Sequence, residues 1–349
     1  MPAAVEFSII PGDILSFEAD VIALKHAQEF FGVDWAVAEA LSQAGISESE
    51  LACLPNDYRY VNTRGRIQAR HALYIGMPPI TQIDYQQVKE FAARSLLILQ
   101  SEAPHTVHLG LTLHGLGFGL DEVEVFLAEF QGCLEAIQLG AVPEALKRIT
   151  IVELSSNRVE RLRRALEQHL FTANYAERVE TRWAYRLSRA TATRDGHAPP
   201  APPTSKGFET VAIATAVYAT KPHAFVAMPF KKEMDDVFYY GIQGPVRSAG
   251  YLCERVDQEA FTGDILDRVK QKIETAAVVI ADLTGANPNV YLEVGYAWGK
   301  GRPTVLVTAA ENELKFDVRG QRCLTYERIR DLEEALTREL TELKARGQI

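Results

Sequence analysis

A chain of 349 residues, 47% hydrophobic and 24% charged, has enough apolar material for sizeable cores, and its length suggests two or three domains. Its formal net charge of −9 argues against nucleic acid as a partner, because binding a phosphate backbone calls for a basic patch or stripe. No charged n-region with an apolar core opens the chain, and no apolar run reaches membrane-spanning length, so a cytoplasmic protein without a membrane partner is expected.

The four cysteines, Cys53, Cys133, Cys253 and Cys323, contain no C-x-x-C pair, and buried free thiols are their ordinary reading. His105, His108 and His114 fall close together around an apolar strand but do not fit a metal site. An odd separation puts His105 and His108 on opposite faces, and His108 and His114 would lie about 20 Å apart at ~3.3 Å per residue. No metal is expected, although His114 is close enough to the loop after the strand to touch a ligand there.

In chain order, Val5–Ile10 and Ala19–Leu24 read as strands, with Pro11-Gly12-Asp13-Ile14 in the turn between them. Apolar residues at Val33, Val37, Ala40 and Leu41 have helical spacing. His71–Gly76 is a strand, Tyr85–Leu99 an amphipathic helix, and Thr106–Leu113 a strand ending at His114-Gly-Leu-Gly-Phe-Gly119. Asp121–Gln138 is helical and Arg148–Glu153 is a strand. This alternation is that of an α/β domain. Glu160–Arg189 is charged and helical in pattern. Ala190–Lys206, with Pro199-Pro-Ala-Pro-Pro203 inside it, is a semi-extended linker, and Phe208–Thr220 is an apolar stretch without an assigned role.

Beyond the linker, Phe225-Val-Ala opens a second α/β region, with Met228-Pro229-Phe230 at the strand's carboxyl end. Glu233–Ser248 reads as a helix, Gly250–Arg255 as a strand with Asp257 just beyond, and Ile265–Thr275 as a helix. Val278–Ala281 is an apolar, β-rich run of the kind buried on both faces of a parallel sheet, and it stops at Asp282. Asn287-Pro288 has the form of a helix start, and Glu293 follows in the early turns. A carboxylate near a helix N-terminus is favoured in its ionised form, which makes Glu293 available as a nucleophile or cation stabiliser. In the bland alternative Asp282 caps a loop and Glu293 is solvated. A strand from Pro303 and a helix over Arg330–Arg346, striped by Leu332, Leu336, Leu340 and Leu343, complete the chain.

The run Asp282-Leu-Thr-Gly-Ala-Asn-Pro-Asn-Val-Tyr-Leu-Glu-Val-Gly-Tyr-Ala resembles the signature of the TIR-like and nucleoside 2-deoxyribosyltransferase-like group. Phe225–Phe230, Arg255-Val-Asp257 and Leu314–Gly320 resemble further parts of the same pattern. The resemblance implies Glu293 and Asp282 as catalytic residues acting at the anomeric carbon of a ribosyl group. It also implies substrate contacts from Met228, Pro229, Phe230, Asp257, Asn287, Asn289 and Tyr291. The N-terminal half resembles a macro domain, a module that binds ADP-ribose, through Gly12-Asp13-Ile14, Gly32–Val37 and Gly115–Gly119. That implies ligand contacts from Asp13, Gly115, Gly117, Phe118 and Gly119, the glycines letting backbone N–H groups converge on a phosphate. Where macro domains carry an Asn-rich turn this chain has Leu24-Lys25-His26-Ala27, which favours sensing over hydrolysis.

Together these resemblances imply an α/β protein with two three-layer domains: a macro-like domain (1–170), a helical and Pro-rich connector (171–220), and a flavodoxin-like parallel-sheet domain (221–349). The expected function is a nucleotide-sensing effector that cleaves an N-glycosidic bond. NAD is its expected substrate rather than a cofactor, with an adenine-nucleotide-like activator in the first domain and assembly as a homo-oligomer. The architecture is similar to that of two-part bacterial antiviral systems. A deoxyribosyltransferase or nucleotide N-glycosidase of salvage, and a non-catalytic nucleotide-binding signalling module, are the alternatives.

Overall fold

The computed structural model describes residues 4–171, 175–188, 221–256, 265–309, 318 and 320–349. The linker at 190–206, the stretch 208–220, Asp257, Gly263-Asp264 and most of 314–320 lie outside the described residues. By internal contacts the chain forms two compact units, Met1–Gly115 with Glu122–Tyr218, and Leu116–Asp121 with Ala219–Ile349.

The first unit is built on an eight-stranded mixed sheet. Its strands are β1 (Ala4–Pro11), β2 (Val21–His26), β3 (Tyr58–Asn62), β4 (His71–Gly76), β5 (His108–Leu111), β6 (Arg148–Glu153), β7 (Ala176–Arg178) and β8 (Tyr185–Ser188). They run in the order β3-β4-β2-β5-β6-β1-β8-β7. The five inner strands pair in parallel, while β3 at one end and β8 and β7 at the other pair antiparallel. The helices are α1 (Gly32–Ser42), α2 (Glu48–Leu51), α3 (Tyr85–Glu102), α4 (Glu122–Leu139) and α5 (Ser156–Leu170). The charged stretch expected to continue as helix to Arg189 instead leaves α5 at Leu170 and returns as β7 and β8, the latter on the edge of β1. Part of the expected connector is thus sheet in the first unit.

All six residues of β2 are buried, as its place inside a parallel sheet requires, and two of them are polar. Lys25 is ion-paired with Asp34 of α1, whose carboxylate also accepts the Lys25 backbone N–H at 3.2 Å. Burial raises the Asp34 pKa, with the Lys25 charge opposing it. The Lys25 ammonium is therefore committed inside the unit rather than offered to a ligand.

The three clustered histidines go separate ways. His105 is exposed, and His108 shares a hydrogen bond of 2.9 Å with Thr150. His108 has its pKa pushed down to about 4 by burial and then by Arg148. His114 is wholly buried, with Nε2 3.9 Å from the equally buried Glu129. Burial drives the His114 pKa well down and that of Glu129 well up, which favours the uncharged form of both. At 1% exposure His114 is core rather than a ligand contact. Among the described residues no group of three or more His, Cys, Asp or Glu could hold a metal ion.

The second unit has a five-stranded, wholly parallel sheet of β9 (His223–Ala227), β10 (Leu252–Glu254), β11 (Val278–Asp282), β12 (Thr304–Thr308) and β13 (Cys323–Thr325). Its helices are α6 (Gly244–Ser248), α7 (Ile265–Thr275), α8 (Pro288–Gly299) and α9 (Ile329–Ala345). Alternate strand residues enter two cores, as the period of two demands. Val226, Ile280 and Val307 pack with Phe238, Ile242 and the α9 stripe Leu332, Leu336 and Leu340. Phe225, Val279 and Leu306 pack with Val269, Ile273, Val290 and Val294 of α7 and α8. The result is three layers. The helix expected over Glu233–Ser248 is interrupted: a π-helical stretch, Val237–Gln243, precedes α6. Pro245 has no N–H to give to Gly241 in an α register, which accounts for the broken ladder. No described helix is long and apolar enough to cross a membrane.

Candidate functional site

The strand order β10-β9-β11-β12-β13 is second, first, third, fourth, fifth, the flavodoxin-like order, and it reverses direction between β9 and β11. Such a reversal opens a crevice outside the carboxyl ends of the two strands, because their following segments leave on opposite faces. A cavity of about 180 Å³ lies there. Met228, Pro229 and Phe230, immediately beyond β9, form one side; Asn287, Asn289 and Glu293 of the α8 start form another.

Local sequence explains the placement. Asn287 caps α8 by accepting the Asn289 backbone N–H at 2.9 Å, and Pro288 occupies the first helical position at no hydrogen-bonding cost. Glu293 then falls on the same helix face as Val290, Val294 and Ala297, which are buried against the sheet. It is only 6% exposed, yet it lines the cavity. A carboxylate is thus brought to a small cavity that Asn287 and Asn289 also line.

Asp282 behaves differently from Glu293. It ends β11 and is fully buried, and it is not among the residues lining the cavity. One carboxylate oxygen accepts the Thr284 N–H at 2.9 Å and the other accepts the Tyr326 hydroxyl at 2.8 Å. Burial raises its pKa, and those hydrogen bonds pull the other way. The Thr284 hydroxyl in turn accepts the Ala309 N–H at 2.9 Å. This network braces the turn between β11 and α8, where Gly285 and Ala286 have φ of +74° and +49°. A left-handed alanine is strained by roughly 1–2 kcal/mol and persists only where its surroundings fix it. Asp282 is thereby a positioning residue for the turn that delivers Asn287. We expect Tyr326→Phe to destabilise the protein by about 1–3 kcal/mol in urea denaturation, because a buried carboxylate loses a donor.

Tyr291 is half-buried against the α7 and α8 core and does not line the cavity. Asp257 lies outside the described residues. Two contributors were not singled out by the sequence, Tyr326 and Lys231 at the cavity, while Arg255, quoted only as part of a motif, has its guanidinium 4.4 Å from the Phe230 ring centroid. Each stands at or just past a strand end, the one signal that could have found them.

The residues predicted for the first half are dispersed. Asp13 is exposed beyond β1, where its side chain accepts the Leu15 N–H at 3.0 Å. Gly115, Gly117 and Gly119 have φ of +87°, +79° and +85°, so the loop does need glycine's left-handed freedom. Gly115 belongs to the first unit, but Leu116–Asp121 belongs to the second. There Phe118 bridges to Val256, and its carbonyl accepts from Arg268 at 3.3 Å. A Cβ on Gly119 would meet the Val256 side chain at 2.9 Å. Asp121 takes two hydrogen bonds from Arg247, at 2.6 and 3.1 Å, and one from the Cys253 backbone at 3.0 Å. The glycine at 119 thus admits a close approach of protein to protein.

No family model matches the chain, and no curated protein matches it. Solved structures similar to its N-terminal half include an Oceanobacillus iheyensis macrodomain with MES bound, 14% identical, with a TM-score of 0.38, covering 47% of this chain and 91% of that one. A Trypanosoma brucei macrodomain in complex with ADP-ribose is 14% identical, with a TM-score of 0.39, covering 46% and 68%. The macro domain of ganglioside induced differentiation associated protein 2 is 11% identical, with a TM-score of 0.36, covering 44% and 80%. Scores this low say nothing of ligand or activity in this chain.

Proposed function

We propose that the second unit cleaves the N-glycosidic bond of a ribosyl substrate in the cavity between the ends of β9 and β11. The observation that supports this most directly is the cavity itself: it gathers Glu293, Asn287 and Asn289 with the Met228–Phe230 segment at the sheet's switch point. Breaking the C1′–N bond sends its electron pair to the base and leaves an oxocarbenium-like sugar. Glu293 faces that cation, either as an ion or by adding to C1′, and the asparagine amides hold sugar hydroxyls. Water then supplies the new C1′–O bond and releases a proton. With NAD, the substrate favoured by the sequence resemblance, nicotinamide departs neutral because its ring nitrogen begins as a cation, so no general acid is required. Incubation of the full chain with NAD and a panel of nucleosides, followed by mass spectrometry, tests the reaction. Free base and a ribosyl product are expected, and intact substrates throughout would refute it.

For the N-terminal half of the sequence the proposal is binding of an adenine-nucleotide-like ligand, whose occupancy raises the glycosidase activity. Its support is the macro-like sequence pattern, with Asp13 exposed at a strand end and a loop of left-handed glycines after β5. A defence role rests on the two-part architecture, and homo-oligomer formation on the need for several sites acting together if activation is large. Gly117→Val is expected to abolish the heat of ADP-ribose binding in calorimetry, because a branched residue opposes φ of +79° and fills space a phosphate needs. Absence of heat with the wild-type chain would reject the sensing reading.

A further inference from the structure

We propose that the segment Leu116–Asp121 sets one wall of the candidate cavity by holding Val256, with Asp121 as the positioning residue that anchors it. This rests on the glycosidase reading above and adds residues to that site. None of the six residues lines the cavity, so their effect passes through Val256, which does.

The sheet alone does not fix Val256. β10 is the edge strand of the second unit, and its ladder with β9 runs Leu252↔His223, Cys253↔Ala224 and Glu254↔Phe225. Val256 lies beyond the end of that ladder, and its main chain is bridged, antiparallel, to Phe118 instead. The Phe118 carbonyl accepts from Arg268 of α7 at 3.3 Å, which ties the bridging residue to the helix layer. Gly119 closes on the Val256 side chain so tightly that an added Cβ would sit 2.9 Å from it.

Asp121 secures the other end of the segment. It is 1% exposed, and its carboxylate accepts from Arg247 of α6 at 2.6 and 3.1 Å and from the Cys253 N–H of β10 at 3.0 Å. Charge-assisted bonds of this kind are strong anchors. The two attachments also share one register. From Cys253 beside Asp121, three residues forward on one chain and three back on the other lead to Val256 beside Phe118, the count an antiparallel pair requires. Releasing Asp121 therefore frees the bridge, and with it the main chain of a cavity-lining residue.

The test compares full-length wild type with Asp121→Ala, Asp121→Asn and Arg247→Gln. Hydrogen exchange is read first, because it needs no turnover. Asp121→Ala is expected to speed exchange over Cys253–Val256 by about 10-fold or more, the scale of losing charge-assisted hydrogen bonds, with Val278–Asp282 as slow as in wild type. Arg247→Gln should give the same pattern more weakly and decides the matter if Asp121→Ala does not fold. Unchanged exchange over Cys253–Val256 overturns the proposal whatever the activity. On NAD, Asp121→Ala should lower kcat/KM by about 10-fold or more, chiefly by raising KM, as a displaced wall would. A merely structural loss would reduce the active fraction and leave KM alone. Asp121→Asn keeps acceptors for Cys253 and Arg247 and should recover most of the loss. Because the effect passes through Val256, adding Asp121→Ala to Val256→Ala should cost little more than Val256→Ala by itself. Losses that multiply, or a KM that stays at the wild-type value, overturn the proposal and leave the glycosidase reading standing. If the wild type cleaves nothing, it is the glycosidase reading that fails, and the exchange result alone decides whether the segment holds Val256.

Discussion

Glu293→Gln is expected to reduce glycosidic cleavage by about 10²- to 10³-fold or more with the fold intact, the cost of removing a single electrostatic contact to a transition state. The substitution keeps volume and hydrogen-bonding capacity and deletes only the charge. Glu293 is 6% exposed, so little water can enter to replace that charge beside the forming cation. Steady-state kinetics on NAD, with circular dichroism as the control, measures the effect. Near wild-type turnover in a folded variant would remove Glu293 from the mechanism.

The second large effect is on stability. Lys25→Met should destabilise the first unit by about 3–5 kcal/mol, because Asp34 at 1% exposure is left without its cation. The double variant Lys25→Met/Asp34→Leu should recover most of that loss, since apolar groups of similar volume often replace a buried pair without penalty. Urea denaturation followed by far-ultraviolet dichroism reads both. A single variant as stable as wild type would show that Asp34 takes up a proton cheaply on losing its partner. Its pKa, already raised by burial, makes that the specific alternative to exclude.

The β11-to-α8 unit was legible because its signals are local. A run buried on both faces, a terminal Asp, an Asn cap and a Pro at the next position each constrain a neighbour within a few residues. They gave the helix start that carries Asn287, Asn289 and Glu293, while the carboxyl-end rule and the family resemblance set these beside the Met228–Phe230 segment. What escaped depends on distant partners. Asp282 was assigned a catalytic part by the family resemblance, and its hydrogen bonds could not be read from the sequence. Its role as a brace is set by Tyr326, 44 residues away beyond a three-residue strand too short to read. Glu177 and Arg178 of β7 and Arg186 of β8 are exposed, and such charges in a charged stretch are hard to separate from helix until β1 is known to lie beside β8. Pro245 was visible, but its consequence, a π stretch upstream instead of a clean break, comes from packing beneath α9, where Leu332 sits against Gly241.

The glycine loop after β5 was read as a ligand cradle on composition alone, and composition does not reveal which body a loop joins. That membership makes the protein harder to divide than its Pro-rich linker suggests. The second unit is discontinuous along the chain: it includes Leu116–Asp121 as well as everything from Ala219 onward. A fragment cut at the linker would leave Arg247 and the Cys253 N–H without the Asp121 carboxylate that receives them. Severing the gene there would yield a second body that lacks one of its own segments.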